Sequence, residues 1–469
     1  MFIPVEIFQL IGTTNIALYQ TCHHFNSYIN LFHKNYIVDF SKNPYINPQI
    51  KLEYFFVKTT NINESIKNNM YQIINLDKII NLPIHLTHLT LSKDFNRSLD
   101  NLPTTLKMLK LGDNFNQTLD NLPPLLEILE LGMHFNQPLN NIPSLKILKL
   151  NNHFDKQLNN LPESLQKLVI GNNNQINDLP KSLIKLKLGD GFNQPLNLPK
   201  SLIKLKLGNS YKQSITMPES LTDLHLGNCY NQKINNFPKS LIKLKINCNF
   251  NEPFSLFPVN LTHLTLTTSN FNESLNNLPL TLTHLTLGDK FNKPIDNLSL
   301  PLTYLKLGDK FNKPINNLPS TLTHLKLGSN FNQPINNLLP TLTHLTLGFS
   351  FNQPIDRLPK SLKYLSLTNC FSFDQPVDNL PESLTYLSLG SHFNHSINNL
   401  PDSLKELSID AGIWHIFQTE ITKLPVSLTK LQIPSHYPYP LDINILPLGL
   451  KTIIVGYDKI DMNKITSKN

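Results

Sequence analysis

The chain has 469 residues, 40% of them hydrophobic and 16% charged, a balance that excludes an intrinsically disordered polymer and leaves room for more than one folded region. A formal net charge of +8 permits nucleic-acid or acidic-protein partners without demanding either. No stretch supplies the ~18 consecutive apolar residues of a membrane span, and four scattered cysteines exclude the dense disulfide framework of a small secreted domain.

At the start of the chain, "MFIPVEIFQLIG" carries Glu6 and no Lys or Arg, so it lacks the basic opening of a signal peptide, and a cytoplasmic location is expected. Pro4 suits the first position of a helix, Ile3, Ile7, Leu10 and Ile11 share a face, and Gly12 can close it. A second helix is predicted after a Thr14 or Asn15 cap, with Leu18, Cys22, Phe25 and Ile29 on one side. Two such helices are too small to stand alone. The pattern Pro4-x-Glu6-Ile7, Ile11, Cys22-x-x-Phe25 resembles an F-box. That resemblance implies that Pro4, Glu6, Ile7, Ile11, Leu18 and Phe25 contact the linker subunit of a cullin-based ubiquitin ligase. The segment from Ile11 to Leu18 is several residues shorter than an F-box usually has. The other reading is a helical cap on whatever follows.

Residues 41–81, with "NPYINP" and "TTNINESIKNN", read as a linker merging into an irregular first coil. From Leu86 the frame L-x-x-L-x-L returns through Leu106, Leu126 and onward to Leu428, and more weakly at Leu450, with a period of about twenty residues. The last two leucines of each frame sit two apart, the spacing of one face of a short strand. Glycines such as Gly112, Gly132, Gly308 and Gly328 follow, suited to the turn out of the sheet. Closely spaced prolines, such as Pro314 with Pro319, exclude a helical return.

The Phe of each "FN", as in Phe95, Phe115, Phe135, Phe250, Phe271, Phe291, Phe311, Phe331, Phe351 and Phe393, with Tyr211 and Tyr230 as substitutes, is predicted to plug the core at a corner. The Asn beside it is predicted to hydrogen-bond the backbone of the next coil. Phe is missing at Asn172, where a local defect is expected. One coil alone cannot offset the entropy of its own ordering, so coils must stack.

These features resemble the FNIP repeat, a relative of leucine-rich repeats found in slime-mould and giant amoeba-virus proteins, which would put the protein in host cytoplasm if it is viral. The resemblance implies a mostly β fold: a leucine-rich-repeat-like solenoid of ~20-residue coils with a parallel sheet on one side, preceded by the small α-helical F-box-like segment. The expected organisation is 1–40 F-box-like, 41–81 linker and first coil, 82–409 solenoid, and 410–469 divergent repeats and C-terminal cap, where "IWHIF" and "YPYPLDI" break the pattern.

No phosphate-binding glycine loop, Cys-x-x-Cys pair or G-x-S-x-G elbow occurs, and His23 and His24, adjacent on one predicted helix, do not share a face. The "LPxSLxxLxL" phrase is also similar to bacterial effector ubiquitin ligases, but no unassigned region is long enough for their catalytic domain. No enzyme activity, catalytic residue, cofactor or metal ligand is therefore expected. Cys229 and Cys248 occupy nearly equivalent places in neighbouring repeats, either as a close pair or as two separate thiols.

What remains is the outward face of the sheet. The residue before each inward leucine faces out, which sets Lys185, Lys187, Lys204, Lys206, Lys243 and Lys245 into a basic patch. Farther on, His263, His284, Tyr304, His324, His344, Tyr364 and Tyr386 form a ridge, one per coil, beside Thr265, Thr286, Lys306, Lys326, Thr346, Ser366 and Ser388. Tyr and His offer flat contact area with a polar tip, which suits a protein target, and imidazoles would make the face respond to pH near 6.5. Copying of repeats can also multiply an arbitrary exposed residue.

Overall fold

A computed structural model describes residues 70–72 and 86–461, except 92, 141, 172–175, 177, 235, 249–256, 268–270, 276–277, 297, 299, 410–416 and 457. The F-box-like segment, the Asn172 gap and Phe250 fall outside the described residues. The chain divides into two compact units, before and after the Pro218–Glu219 bond, and each is a stack of parallel coils.

In the first unit the strands are Met70–Gln72, His88–Thr90, Met108–Lys110, Ile128–Glu130, Ile147–Lys149, Lys167–Ile170, Lys185–Leu188 and Lys204–Lys206, each parallel to the one before. The second unit runs through Asp223–Leu226, Lys243–Ile246, His263–Leu266, His284–Leu287, Tyr304–Lys306, His324–Lys326, His344–Thr346, Tyr364–Ser366, Tyr386–Leu389, Glu406–Ile409, Lys430–Ile433 and Thr452–Val455. These too pair in parallel, and Asp458–Asp461 then folds back antiparallel on Thr452–Val455. Among the described residues there is no α-helix; the single helical turn is the 3-10 segment Ile443–Ile445.

Each coil is shaped by two tight turns that its sequence dictates. In Gly308–Phe311 the Phe311 amide donates to the Gly308 carbonyl at 3.3 Å, and in Pro319–Leu322 the Leu322 amide donates to the Pro319 carbonyl at 3.0 Å. Between the turns the three leucines of the frame point inward. Leu322, Leu325 and Leu327 are buried, as are their counterparts along the stack.

The Phe column is the second half of the core. In the first unit Phe95, Phe115, Phe135 and Phe154 stack at 6.1–6.2 Å with planes 3–9° apart. In the second unit the stack runs unbroken from Phe271 to Phe417 at 6.1–6.3 Å. Phe154, Phe192, Phe373 and Phe417 belong to this column and were not among the predicted plugs; Tyr211 and Tyr230 take their expected places. Phe417 shows that the divergent C-terminal stretch still contributes coils.

The Asn beside each Phe forms the expected ladder. Asn312, Asn332 and Asn352 each donate a backbone N–H to the Oδ1 of the Asn one coil earlier, at 2.9–3.0 Å. A second ladder was not foreseen: Thr321, Thr341, Ser361 and Ser383 donate their hydroxyls to the carbonyls of Leu302, Leu322, Leu342 and Leu362 at 2.7–2.9 Å.

The glycines serve a different purpose from the one predicted. Among the described glycines only Gly456 has a left-handed backbone, with φ of 62°, so the strand-ending glycines are not needed for turn conformation. They are needed for space. A Cβ on Gly308 would lie 2.3 Å from the Gly288 carbonyl oxygen, because adjacent coils touch backbone to backbone there.

Candidate functional site

With both core columns facing in, the outward strand positions form the accessible surface of the sheet. The alternation is clear in Lys185–Leu188 and Lys243–Ile246, where exposed lysines alternate with buried Leu or Ile. Lys185 pairs in register with Lys204 and Lys187 with Lys206, all in the first unit. Lys243 and Lys245 belong to the second unit, where they face Asp223 and His225 on one side and His263 and Thr265 on the other.

In the second unit His263, His284, Tyr304, His324, His344, Tyr364 and Tyr386 stand in register on successive strands. All seven are half-buried. Their rings stack on one another, closest at His263–His284 and His324–His344, both 4.1 Å, and at Tyr364–Tyr386, 4.2 Å. The intervening steps are 5.5–6.3 Å. At the three close steps ring faces contact each other, so the ridge presents ring edges outward there, while the Tyr304–His324 step is tilted by 34°.

The threonine before each of three ridge histidines holds the imidazole in place by a hydrogen bond. Thr283, Thr323 and Thr343 donate their hydroxyl protons to the carbonyls of Thr262, Thr303 and Thr323 at 3.0–3.1 Å. Each hydroxyl oxygen also lies 2.9 Å from the Nδ1 of His284, His324 or His344. Sequence reading missed this, although the recurrent "LTHL" holds the signal.

His263, His284 and His344 are also held below the ordinary imidazole range. For His263 the causes are burial, then the imidazole of His284 and the ammonium of Lys243, against a small opposing effect of Asp223. For His284 they are burial, His324 and Lys243; for His344, burial, His324 and Lys363. The pH response predicted near 6.5 therefore moves to lower pH.

Ser366 and Ser388 correct the sequence reading. Both were expected on the outer face, yet they are buried at 7% and 1% exposure. Thr368, standing where other coils have glycine, bonds both hydroxyls and draws them into a closed network. The neighbouring Cys370 is buried as well, which pushes its thiol up to about 12. Cys229 is exposed and Cys248 buried, with no disulfide between them.

The predicted docking residues Pro4, Glu6, Ile7, Ile11, Leu18 and Phe25 lie outside the described residues. Among the described residues no group of three or more His, Cys, Asp or Glu is placed to hold a metal ion. Within them no helix is long and apolar enough to cross a membrane.

A leucine-framed stack of parallel coils with a polar, accessible sheet face defines a protein of the leucine-rich-repeat class. The chain belongs to the FNIP repeat family: the repeat matches residues 77–114, 95–134, 172–210, 192–229, 211–249, 271–310, 311–350, 336–370, 373–410 and 417–458. Among solved structures it is similar to CroV588, a novel circular LRR protein, at 39% identity and a TM-score of 0.63, over 79% of this chain and 60% of CroV588. The chain thus spans three fifths of that protein's length. It is also similar to YopM from Yersinia enterocolitica WA-314, at 22% identity, TM-score 0.42, over 78% of this chain and 91% of YopM. No curated protein sequence matches it significantly.

Proposed function

We propose that this protein is a non-enzymatic interaction adaptor: the ridge of the second unit holds a target protein, and the N-terminal segment docks on the linker subunit of a cullin-based ubiquitin ligase. The observation that carries the target-binding half is the row of seven half-buried rings in register from His263 to Tyr386, closely stacked at three of its steps. Pre-ordered aromatic side chains lose little entropy on docking, and their edges supply both apolar area and hydrogen-bonding tips. The ligase half rests on the F-box resemblance of Pro4, Glu6, Ile7, Ile11, Leu18 and Phe25. Nucleic acid and membrane are not expected partners.

The test is capture of the linker subunit by the full chain and by Ile7→Asp. Capture by the first and loss in the second is the expected result; no capture by the unaltered chain removes the ligase role. That outcome would leave a binding scaffold unconnected to ubiquitin, with the N-terminal segment acting only as a cap. The second reading is favoured by the repeats themselves, since a stack needs closed ends.

A further inference from the structure

The first unit carries a surface of different character. Down one outward column, in register on successive strands, come Met108, Ile128, Ile147, Lys167, Lys185 and Lys204. The column is apolar for three coils and cationic for the next three. From this we propose that the face binds an extended acidic polypeptide segment, apolar at one end and carboxylate-rich at the other.

The two halves differ in how their charges are handled. Beside the apolar half, Glu130 pairs with Lys149 and Glu127 with Lys146, the latter at 3.0 Å, so the half-buried Ile128 and Ile147 sit between neutralised pairs. In the cationic half like charges are placed directly opposite one another, Lys167 to Lys185 to Lys204 and Lys187 to Lys206. Like charges directly opposite in a sheet are destabilising. Among the described residues no carboxylate lies within ion-pair distance of Lys167, Lys185, Lys187 or Lys206. A polyanion would relieve this repulsion.

The apolar half distinguishes between polyanions. A nucleic-acid backbone has no apolar side chains to cover Ile128 and Ile147, and the column offers no aromatic ring on which a base could stack. A polypeptide satisfies both halves at once. Six coils make five steps of ~4.8 Å, roughly 24 Å, the reach of about seven or eight extended residues at ~3.3 Å. Alternate side chains of such a segment point to one face, so about four of them would meet the column.

The experiment measures binding to the full chain of two fluorescent eight-residue peptides, each with a Val/Leu block and a Glu block, in opposite orders. Controls are an all-Glu peptide of equal length and a short DNA duplex. At least one block peptide is expected to bind, more tightly than the all-Glu peptide. Lys185→Glu with Lys204→Glu should weaken it at least tenfold, and Ile128→Asp at least fivefold with unfolding unchanged. His324→Gln with His344→Gln should leave it unaltered, which separates this surface from the ridge. Failure of both block peptides, equal affinity for the all-Glu peptide, or insensitivity to the Lys and Ile substitutions would overturn the proposal. Tighter binding of the duplex, steeply weakened by salt, would replace it with nucleic acid.

Discussion

Two rows of rings run through the second unit, and the same twenty-residue rhythm writes both. The Phe row from Phe271 to Phe417 keeps its centroids within 6.1–6.3 Å, whereas steps along the row from His263 to Tyr386 vary between 4.1 and 6.3 Å. Both are stacks, but only the inner one is uniform. Burial forces each Phe to fit a closed corner, while the outer rings answer only to their neighbours and to water. Recurrence in a sequence therefore carries two meanings, a packing requirement inside and a freedom outside.

That contrast is sharpest under substitution. Leu325→Asp, an inward strand position, should unfold or grossly destabilise its stack by burying an unpaired charge, whereas His324→Asp beside it should change stability by less than about 0.5 kcal/mol in denaturant titration. Equal losses would mean the strand faces are reversed. Phe331→Ala empties a fully buried site and should cost roughly 3–5 kcal/mol, while Tyr304→Ser should be close to neutral for stability and reduce target affinity. Should Tyr304→Ser and Tyr364→Ser together leave target binding intact, the outer row is a by-product of repeat copying.

Asn332→Ala removes the acceptor for the Asn352 amide and for the Gln353 side chain at 3.1 Å, so a loss of about 1–3 kcal/mol is expected. The smallest effect is acid. Folding holds His263, His284 and His344 below the ordinary imidazole value, so between that value and their folded ones the unfolded chain binds more protons. Stability should then decline slightly as pH falls through about 6.5 and level off once the folded imidazoles also charge. A variant with His263, His284 and His344 changed to Gln should flatten that decline. An unchanged pH profile would show that the ridge does not contribute to it.

Most of the inner architecture was legible because it is repeated. The leucine frame, the helix-excluding prolines, the Phe plugs and the Asn ladder each recur often enough to fix a role. Phe192 bears the same Phe-Asn signature and was within reach, whereas Phe154, Phe373 and Phe417 are followed by Asp or Gln and were masked by that change. The glycines were misjudged because close contact between coils is a property of the stack, invisible within one unit. Ser366 and Ser388 were misplaced for a similar reason: alternation put them outside, but Thr368, in the place where many coils have glycine, bonds both hydroxyls. The outer columns were legible as residues and silent as to partner, since a face that only meets water is unconstrained by the fold.

The Asn ladder also tells how such a chain can change length. Its bond joins residues twenty apart at Asn332 to Asn352, twenty-two apart at Asn352 to Asp374, and twenty-four apart at Asn394 to Gln418. The donor and acceptor stay fixed while the loop between them swells. A gene encoding this protein can therefore gain or lose a whole copy by slippage between like segments, or a few codons inside one, and the product still zips at the same rungs. Length becomes a heritable variable that selection can adjust without redesigning the coil.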